Sequence, residues 1–150
     1  MTDNRQKYLN YKEQFKRLNK AIDCGFNLEA MFISYSIMED RSESVLRHSD
    51  KYDAYIKSWK GRPETIDSKI RYIVKLAENK NDLLNKYFSS PLLVDILAWK
   101  EERNRMVHAL LKQELTDEEL INLALQGKKY AKDFCNKSTN YKRALERLKH

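Results

Sequence analysis

Apolar residues in this chain recur at steps of three and four over long stretches, and almost nothing interrupts them. Only 3 Gly and 2 Pro occur among 150 residues, and all but Gly127 fall between the periodic stretches. A step of three or four returns a side chain to one face of an α-helix, whereas a strand needs a step of two. Tyr8, Tyr11, Phe15, Leu18 and Ile22 make one such face; Ile66, Ile70, Ile73, Val74 and Ala77 make another. The pattern predicts an all-α chain with no strand of any length. At this size it can bury its own core, as a single domain over residues 1–150.

The predicted architecture is an antiparallel bundle of about five helices. The first runs from about Arg5 to Ile22 and is broken at Gly25, after which Asn27 can cap a second helix from Leu28 to Arg47. The second helix carries Leu28, Met31, Phe32, Tyr35 and Leu46 on its apolar face. His48 to Arg62 reads as a loop with a helical turn, bearing Tyr52, Tyr55 and Trp59. A third helix follows Pro63, and a short segment carries Leu83, Leu84, Tyr87 and Phe88. Ser90 and Pro91 look like the cap and first position of a helix reaching Lys112. Thr116 and Glu119 have the spacing of a capping box. The helix they open packs with Leu120, Leu123, Ala124, Gly127, Tyr130, Ala131 and Phe134, and residues Asn136 to Asn140 interrupt it before a short terminal helix.

Several function classes are disfavoured at this level. Cys24 and Cys135 are too few for a disulfide framework or a thiolate metal site, and read as two reduced, partly buried thiols. His48, His108 and His150 lack metal-ligand spacing, so neither metal nor cofactor is expected. There is no glycine loop to cradle phosphate and no nucleophile elbow. No stretch approaches the roughly 18 apolar residues that span a bilayer. Met1 to Lys20 lacks the apolar centre of a signal peptide, so the expected location is cytoplasmic, without membrane partners. The net charge of +7 is concentrated near one end: Gln126 to His150 holds eight basic residues and two acidic ones. Within it, Lys128, Lys129 and Lys132 are candidate contacts to an RNA phosphate backbone, although a solvated helix face would look the same.

Two charges stand out on helical wheels. On the Pro91–Lys112 helix, Ile96, Trp99, Met106, Val107 and Leu110 fall within about 60° of Leu92, and so does Arg103, at about 20°. On the second helix, with Leu28 at zero, Glu39 lands at about 20° and Glu43 at about 60°. An unpaired buried charge is costly, so Arg103 is expected to pair with Glu39, or with Glu43 as second choice, as a plain interior ion pair or as part of a site. His108 sits at the edge of its helix face, and Asn104 lies one turn before it on nearly the same side.

Arg103-Asn104-Arg105-Met106-Val107-His108 resembles the signature of the HEPN family (higher eukaryotes and prokaryotes nucleotide-binding): an arginine, a short spacer and a histidine on a late helix, often with a polar residue directly after the arginine. The specific match is Arg103, Asn104 and His108; a carboxylate on an earlier helix often completes the family site, and Glu39 or Glu43 would fill that place. The resemblance implies metal-independent endoribonuclease activity of toxin–antitoxin or phage-defence type, in a homodimer that lines one cleft with both motifs. The RNA 2′-OH would be the nucleophile, His108 the acid/base, Arg103 the anion stabiliser and Asn104 the positioning group. Leu93, Leu97 and Leu111, flanking the apolar stripe of that helix, suit the dimer contact. Some members carry a tyrosine two residues after the histidine, which a partner antitoxin modifies; Leu110 stands there in this chain, so an antitoxin acting by that route is not expected.

Two rivals remain at this level. One is a non-catalytic bundle of the same kind that binds nucleic acid or nucleotide through its lysines. The other is a helical adaptor that docks a protein through Tyr52, Tyr55 and Trp59.

Overall fold

A computed structural model describes residues 4–112 and 115–149. His150, one of the three histidines, lies outside the described residues. Among those described, all regular structure is helical: α1 (Asn4–Asp23), α2 (Asn27–His48), α3 (Tyr52–Trp59), α4 (Ile66–Ala77), α5 (Leu83–Phe88), α6 (Leu92–Ala109) and α7 (Asp117–Leu148). No helix among them is long and apolar enough to cross a membrane. The chain divides into two compact units, one drawing on Met1–Ile37 and Trp99–Ala131, the other on Met38–Ala98 and Lys132–His150.

In the first unit, α1 ends where the sequence loses its periodicity. Gly25 takes φ +76°, a left-handed conformation that only glycine adopts without a Cβ penalty. The Gly25 amide then donates to the Ile22 carbonyl at 3.1 Å and the Phe26 amide to the Ala21 carbonyl at 2.8 Å. These two bonds satisfy carbonyls that the helix end would otherwise orphan. At the start of α7 the capping box forms: the Glu119 amide donates to Thr116 Oγ1 at 3.2 Å, and the Thr116 amide donates to Glu119 Oε2 at 3.0 Å. Leu18, Met31, Trp99, Met106, Leu123 and Ala124 are buried in this unit. Trp99 is its fixed point. The indole N–H donates to the Leu123 carbonyl at 2.9 Å. The ring lies so close to Gly127 that a Cβ there would stand 2.5 Å from Cζ2 and 3.0 Å from Cε2.

The second unit packs α3 on α4 and α4 on α5. Residues 52–59 form a full helix rather than a loop with one turn, because Tyr52, Tyr55, Ile56 and Trp59 continue the three-and-four spacing. The Tyr55 hydroxyl and Ser68 Oγ are 2.6 Å apart in the buried contact between α3 and α4. Asn85 Nδ2 donates to the Ala77 carbonyl at 2.7 Å, tying α5 to the end of α4. Phe88 meets the rings of Phe134 and Tyr141 edge-on, at 6.0 and 5.6 Å between centroids. Those contacts carry α7 straight through Asn136–Asn140, where a break is expected. Phe134, Ser138 and Tyr141 are all buried, so the inward face never lapses, while Asn136, Thr139 and Asn140 are exposed. The described residues hold seven helices rather than about five, since α3 and α5 are helices in their own right and the terminal segment joins α7.

Two further expectations shift. At α6 the first carbonyl used is that of Pro91, which accepts from the Asp95 amide at 2.9 Å, so proline occupies the cap and not the first helical position. Ser90 Oγ is buried and has no hydrogen-bond partner among the described residues, so it caps nothing. Both cysteines are free, as expected, but Cys24 is exposed. Burial pushes the Cys135 thiol up to about 11, which leaves it unreactive at neutral pH.

Gly127→Ala should lower stability by about 1–3 kcal/mol through overpacking against the indole. That outweighs the roughly 1 kcal/mol that alanine gains in a helix interior. A urea midpoint that fails to fall would contradict this packing. Gly25→Ala, at an exposed turn with open space around it, should cost about 1–2 kcal/mol through backbone strain alone, read by the same measurement.

Candidate functional site

The site residues expected from sequence distribute over both units. Arg103, Asn104 and His108, on α6, belong to the first; Glu39 and Glu43, on α2, belong to the second.

Arg103 has the inward placement that its wheel position predicts. It is half-buried, and its Nε is fully buried. The guanidinium carbon lies 4.2 Å from the centroid of the Tyr35 ring. Nη2 donates to Asn104 Oδ1 at 2.8 Å. Within its own unit Arg103 meets no carboxylate among the described residues, and its Nε has no hydrogen-bond acceptor there. A π face attracts a cation but accepts no strong hydrogen bond, so most of the five guanidinium donors stay unspent. A buried donor without an acceptor costs on the order of 1–3 kcal/mol, so this arrangement calls for an explanation beyond packing. His108 is exposed, one turn beyond Asn104, and has no hydrogen-bond partner among the described residues. The arrangement offers a planar cation able to receive an anion, with an imidazole on the same helix for proton transfer.

Sequence reasoning placed Tyr35 on an apolar face but missed its contact with Arg103. The available signal was an inward arginine and an inward aromatic in helices that must pack; the tyrosine can hold the cation without neutralising it.

In the second unit, Glu43 is already engaged. Its carboxylate lies 3.6 Å from the Lys69 ammonium and 3.4 Å from Arg47. Lys69 is 5% exposed and also reaches Glu64 at 4.0 Å. Glu64 in turn accepts from the Tyr52 hydroxyl at 2.7 Å, which pushes that phenol up to about 12. Lys69 thus sits between two carboxylates. Its wheel position, beside Ile66 and Ile70, was the legible sign of an inward lysine that sequence reasoning overlooked.

Glu39 is half-buried, and the wheel that turned it inward used the wrong reference. Leu28 and Phe32 are 42% and 65% exposed. The buried set of α2, including Ala30, Ile33, Ser34, Ile37, Met38 and Val45, centres about 240° from Leu28, which leaves Glu39 about 140° from its middle. The pairing expected for Arg103 joins residues of different units, and each is described here within its own. Of the candidate phosphate contacts on α7, Lys129 and Lys132 are exposed and Lys128 is half-buried.

No family model, curated protein or solved structure matches this chain.

Glu43→Gln should lower stability by about 1–2 kcal/mol in urea unfolding, less than the loss typical of a fully buried pair because Glu43 is 34% exposed. An unchanged midpoint would show that Glu64 alone satisfies Lys69.

Proposed function

We propose that the chain is a metal-independent endoribonuclease of HEPN type, acting as a homodimer. The observation that carries this reading is the Arg103 guanidinium, stacked on Tyr35 at 4.2 Å and held by Asn104 at 2.8 Å, with donors left over for an anion. A scissile phosphate between Arg103 and His108 would use both groups. The imidazole of His108 takes the proton of the RNA 2′-OH, and the freed oxygen attacks the adjacent phosphorus. Charge that builds on the phosphorane is met by the guanidinium, which supplies what a bound cation would supply elsewhere. The P–O5′ bond breaks, and the leaving 5′-oxygen receives a proton from the second protomer's imidazole. The products are a 2′,3′-cyclic phosphate and a 5′-hydroxyl.

Surface composition supports the dimer. Near the motif, Val107 and Leu110 are 45% and 37% exposed and Leu111 fully so, and Phe26, Leu28 and Phe32 lie open in the same unit. Leu93, counted among the flanking contacts on sequence grounds, is 1% exposed and belongs to the core instead. In this reading the helices form an antiparallel bundle, Lys128, Lys129 and Lys132 track the RNA backbone, and the protein works in the cytoplasm. An antitoxin protein, if one acts on it, does so by a route other than modification two residues past His108, where Leu110 stands. Glu43 is engaged by Lys69 and Arg47, so it is assigned no step.

A second reading is a bundle that holds nucleic acid without cutting it. The observation favouring it is that no described residue orients the His108 imidazole.

Incubating the protein with total RNA in EDTA separates the two. His108→Ala should slow cleavage by about 10²–10⁴-fold with the fold intact, and DNA of matching sequence should resist. Wild-type cleavage by His108→Ala, or activity lost in EDTA, would reject the assignment. Binding without cleavage by the unaltered protein would establish the second reading.

A further inference from the structure

The second unit contains an arginine–aromatic stack that the cleavage reading does not use. Trp59 ends α3, and the next two residues, Lys60 and Gly61, both adopt left-handed conformations, at φ +52° and +72°. That tight reversal brings Arg62 back over the helix end. The Arg62 guanidinium carbon lies 4.3 Å from the centroid of the Trp59 ring. Two hydrogen bonds fix the pair: Arg62 Nε donates to the Trp59 carbonyl at 3.2 Å, and the indole N–H donates to the Pro63 carbonyl at 2.7 Å. Trp59 is half-buried and Arg62 exposed. A planar cation is therefore held over a ring whose own orientation is locked.

Charge distribution around the stack is uneven. Three cations packed around the start of α4 are engaged: Arg47 by Glu43, Lys69 by Glu43 and Glu64, Arg71 by Asp67 at 2.7 Å. Lys57, Lys60 and Arg62 are all exposed, and none has an ion pair among the described residues. Three like charges within six residues repel one another, and closing the turn requires none of the two lysines. Of the two nearby carboxylates, Asp53 lies in the first turn of α3, about 9 Å along the axis from Trp59, and Glu64, two residues past Arg62, is turned to the Tyr52 hydroxyl at 2.7 Å and to Lys69.

We propose that the Trp59–Arg62 stack, with Lys57 and Lys60, is a binding site for single-stranded nucleic acid: one base stacks on the outer face of the Arg62 guanidinium, and the lysines contact the flanking phosphates. Stacking on aromatic rings or guanidinium planes beside a cationic track is how unpaired strands are held without sequence readout. An acidic peptide could satisfy the lysines, but it offers no flat surface to the stacked pair. The site is independent of cleavage at His108, and its ligand need not be cleavable.

Tryptophan emission tests this directly, because the chain has 2 Trp. Trp99 is 3% exposed, so quenching by a large ligand reports Trp59. The probes are oligo(U), oligo(dT) and poly-glutamate at low salt, added to the 150-residue chain carrying His108→Ala so that RNA stays intact. Both oligonucleotides should quench saturably, and poly-glutamate should not. Arg62→Lys keeps the charge but loses the plane, and should weaken binding about 5- to 150-fold, nearly as much as Arg62→Ala. Lys57→Ala with Lys60→Ala, at exposed positions that leave the stack alone, should flatten the salt dependence by about two counterions. Quenching by oligo(U) alone would assign the site to RNA, and equal quenching by both would show that it reads any single strand. Full affinity in Arg62→Lys, an unchanged salt slope in the lysine variant, no quenching at all, or equal quenching by poly-glutamate would each overturn the proposal.

Discussion

The contact between Trp99 and Gly127 governs the first unit. An indole is the largest side chain a helix can present, and here it enters a notch where α7 has no Cβ. The ring is 3% exposed, and its one polar atom is satisfied by the Leu123 carbonyl, so burial leaves no donor orphaned. This combination fixes both the separation and the rotation of α6 relative to α7. A larger residue at 127 would push the helices apart; a smaller one at 99 would leave a void. Arg103 comes one turn after Trp99 on the same face, so its inward direction follows from that anchoring. Tyr35 then covers the guanidinium and Asn104 holds one edge of it.

Three arginines, Arg47, Arg62 and Arg103, lie over aromatic rings, and their surroundings set them apart. Arg47 lies 3.8 Å from the Tyr52 centroid and also meets Glu43, so its charge is balanced locally. Such a pair contributes packing and a modest electrostatic gain. Arg62 and Arg103 have the ring without a carboxylate from their own unit. An aromatic face orients a guanidinium while leaving its charge and most of its donors available. A carboxylate would orient it equally well and consume both. Where a protein must present a cation to an anionic ligand, a ring is the better support. That contrast separates Arg62 and Arg103 from Arg47: both keep guanidinium donors that no carboxylate of their own unit takes up.

Helix identity was legible wherever apolar spacing was regular, and Gly25 and the Thr116–Glu119 box announced their ends through local chemistry that tertiary context did not override. The inward position of Arg103 was legible too, because Leu92, Ile96, Trp99 and Met106 define its face without ambiguity. The wheel for α2 failed because Leu28 and Phe32 look like core residues and are largely exposed. A wheel gives relative angles only; its zero must come from a residue known to be buried, and large apolar side chains on open surfaces mislead it. With Ser34 and Ser42 buried instead, the true inward face reads as partly polar. Glu43 and Lys69 each sit where a wheel turns them toward apolar neighbours, but their partnership joins distant segments, and nothing near either residue in sequence reveals it.

The continuity of α7 shows how polarity can mislead in the opposite direction. Asn, Ser and Thr favour caps and turns because their side chains compete for backbone hydrogen bonds, so a run of them suggests a break. In Asn136–Asn140 the competition is avoided for most of the run by pointing outward: Asn136, Thr139 and Asn140 are exposed. Ser138 points inward and spends its hydroxyl on the Cys135 carbonyl at 3.0 Å, a bond that leaves the helix intact. With Phe134 and Tyr141 anchored on Phe88, the backbone has no reason to turn. One consequence concerns charge. Lys132 and Arg143 are eleven residues apart on one unbroken helix, so they differ by about 20° in direction and lie about 16 Å apart along the axis. A break between them would have left their relative directions to a loop. Instead Asn136 and Thr139 fall within about 40° of both cations, while Asp133 lies about 100° round from Lys132 and exposed Glu146 follows Arg143 by one turn, so the unbroken helix sets cations, neutral donors and carboxylates at fixed angles to one another.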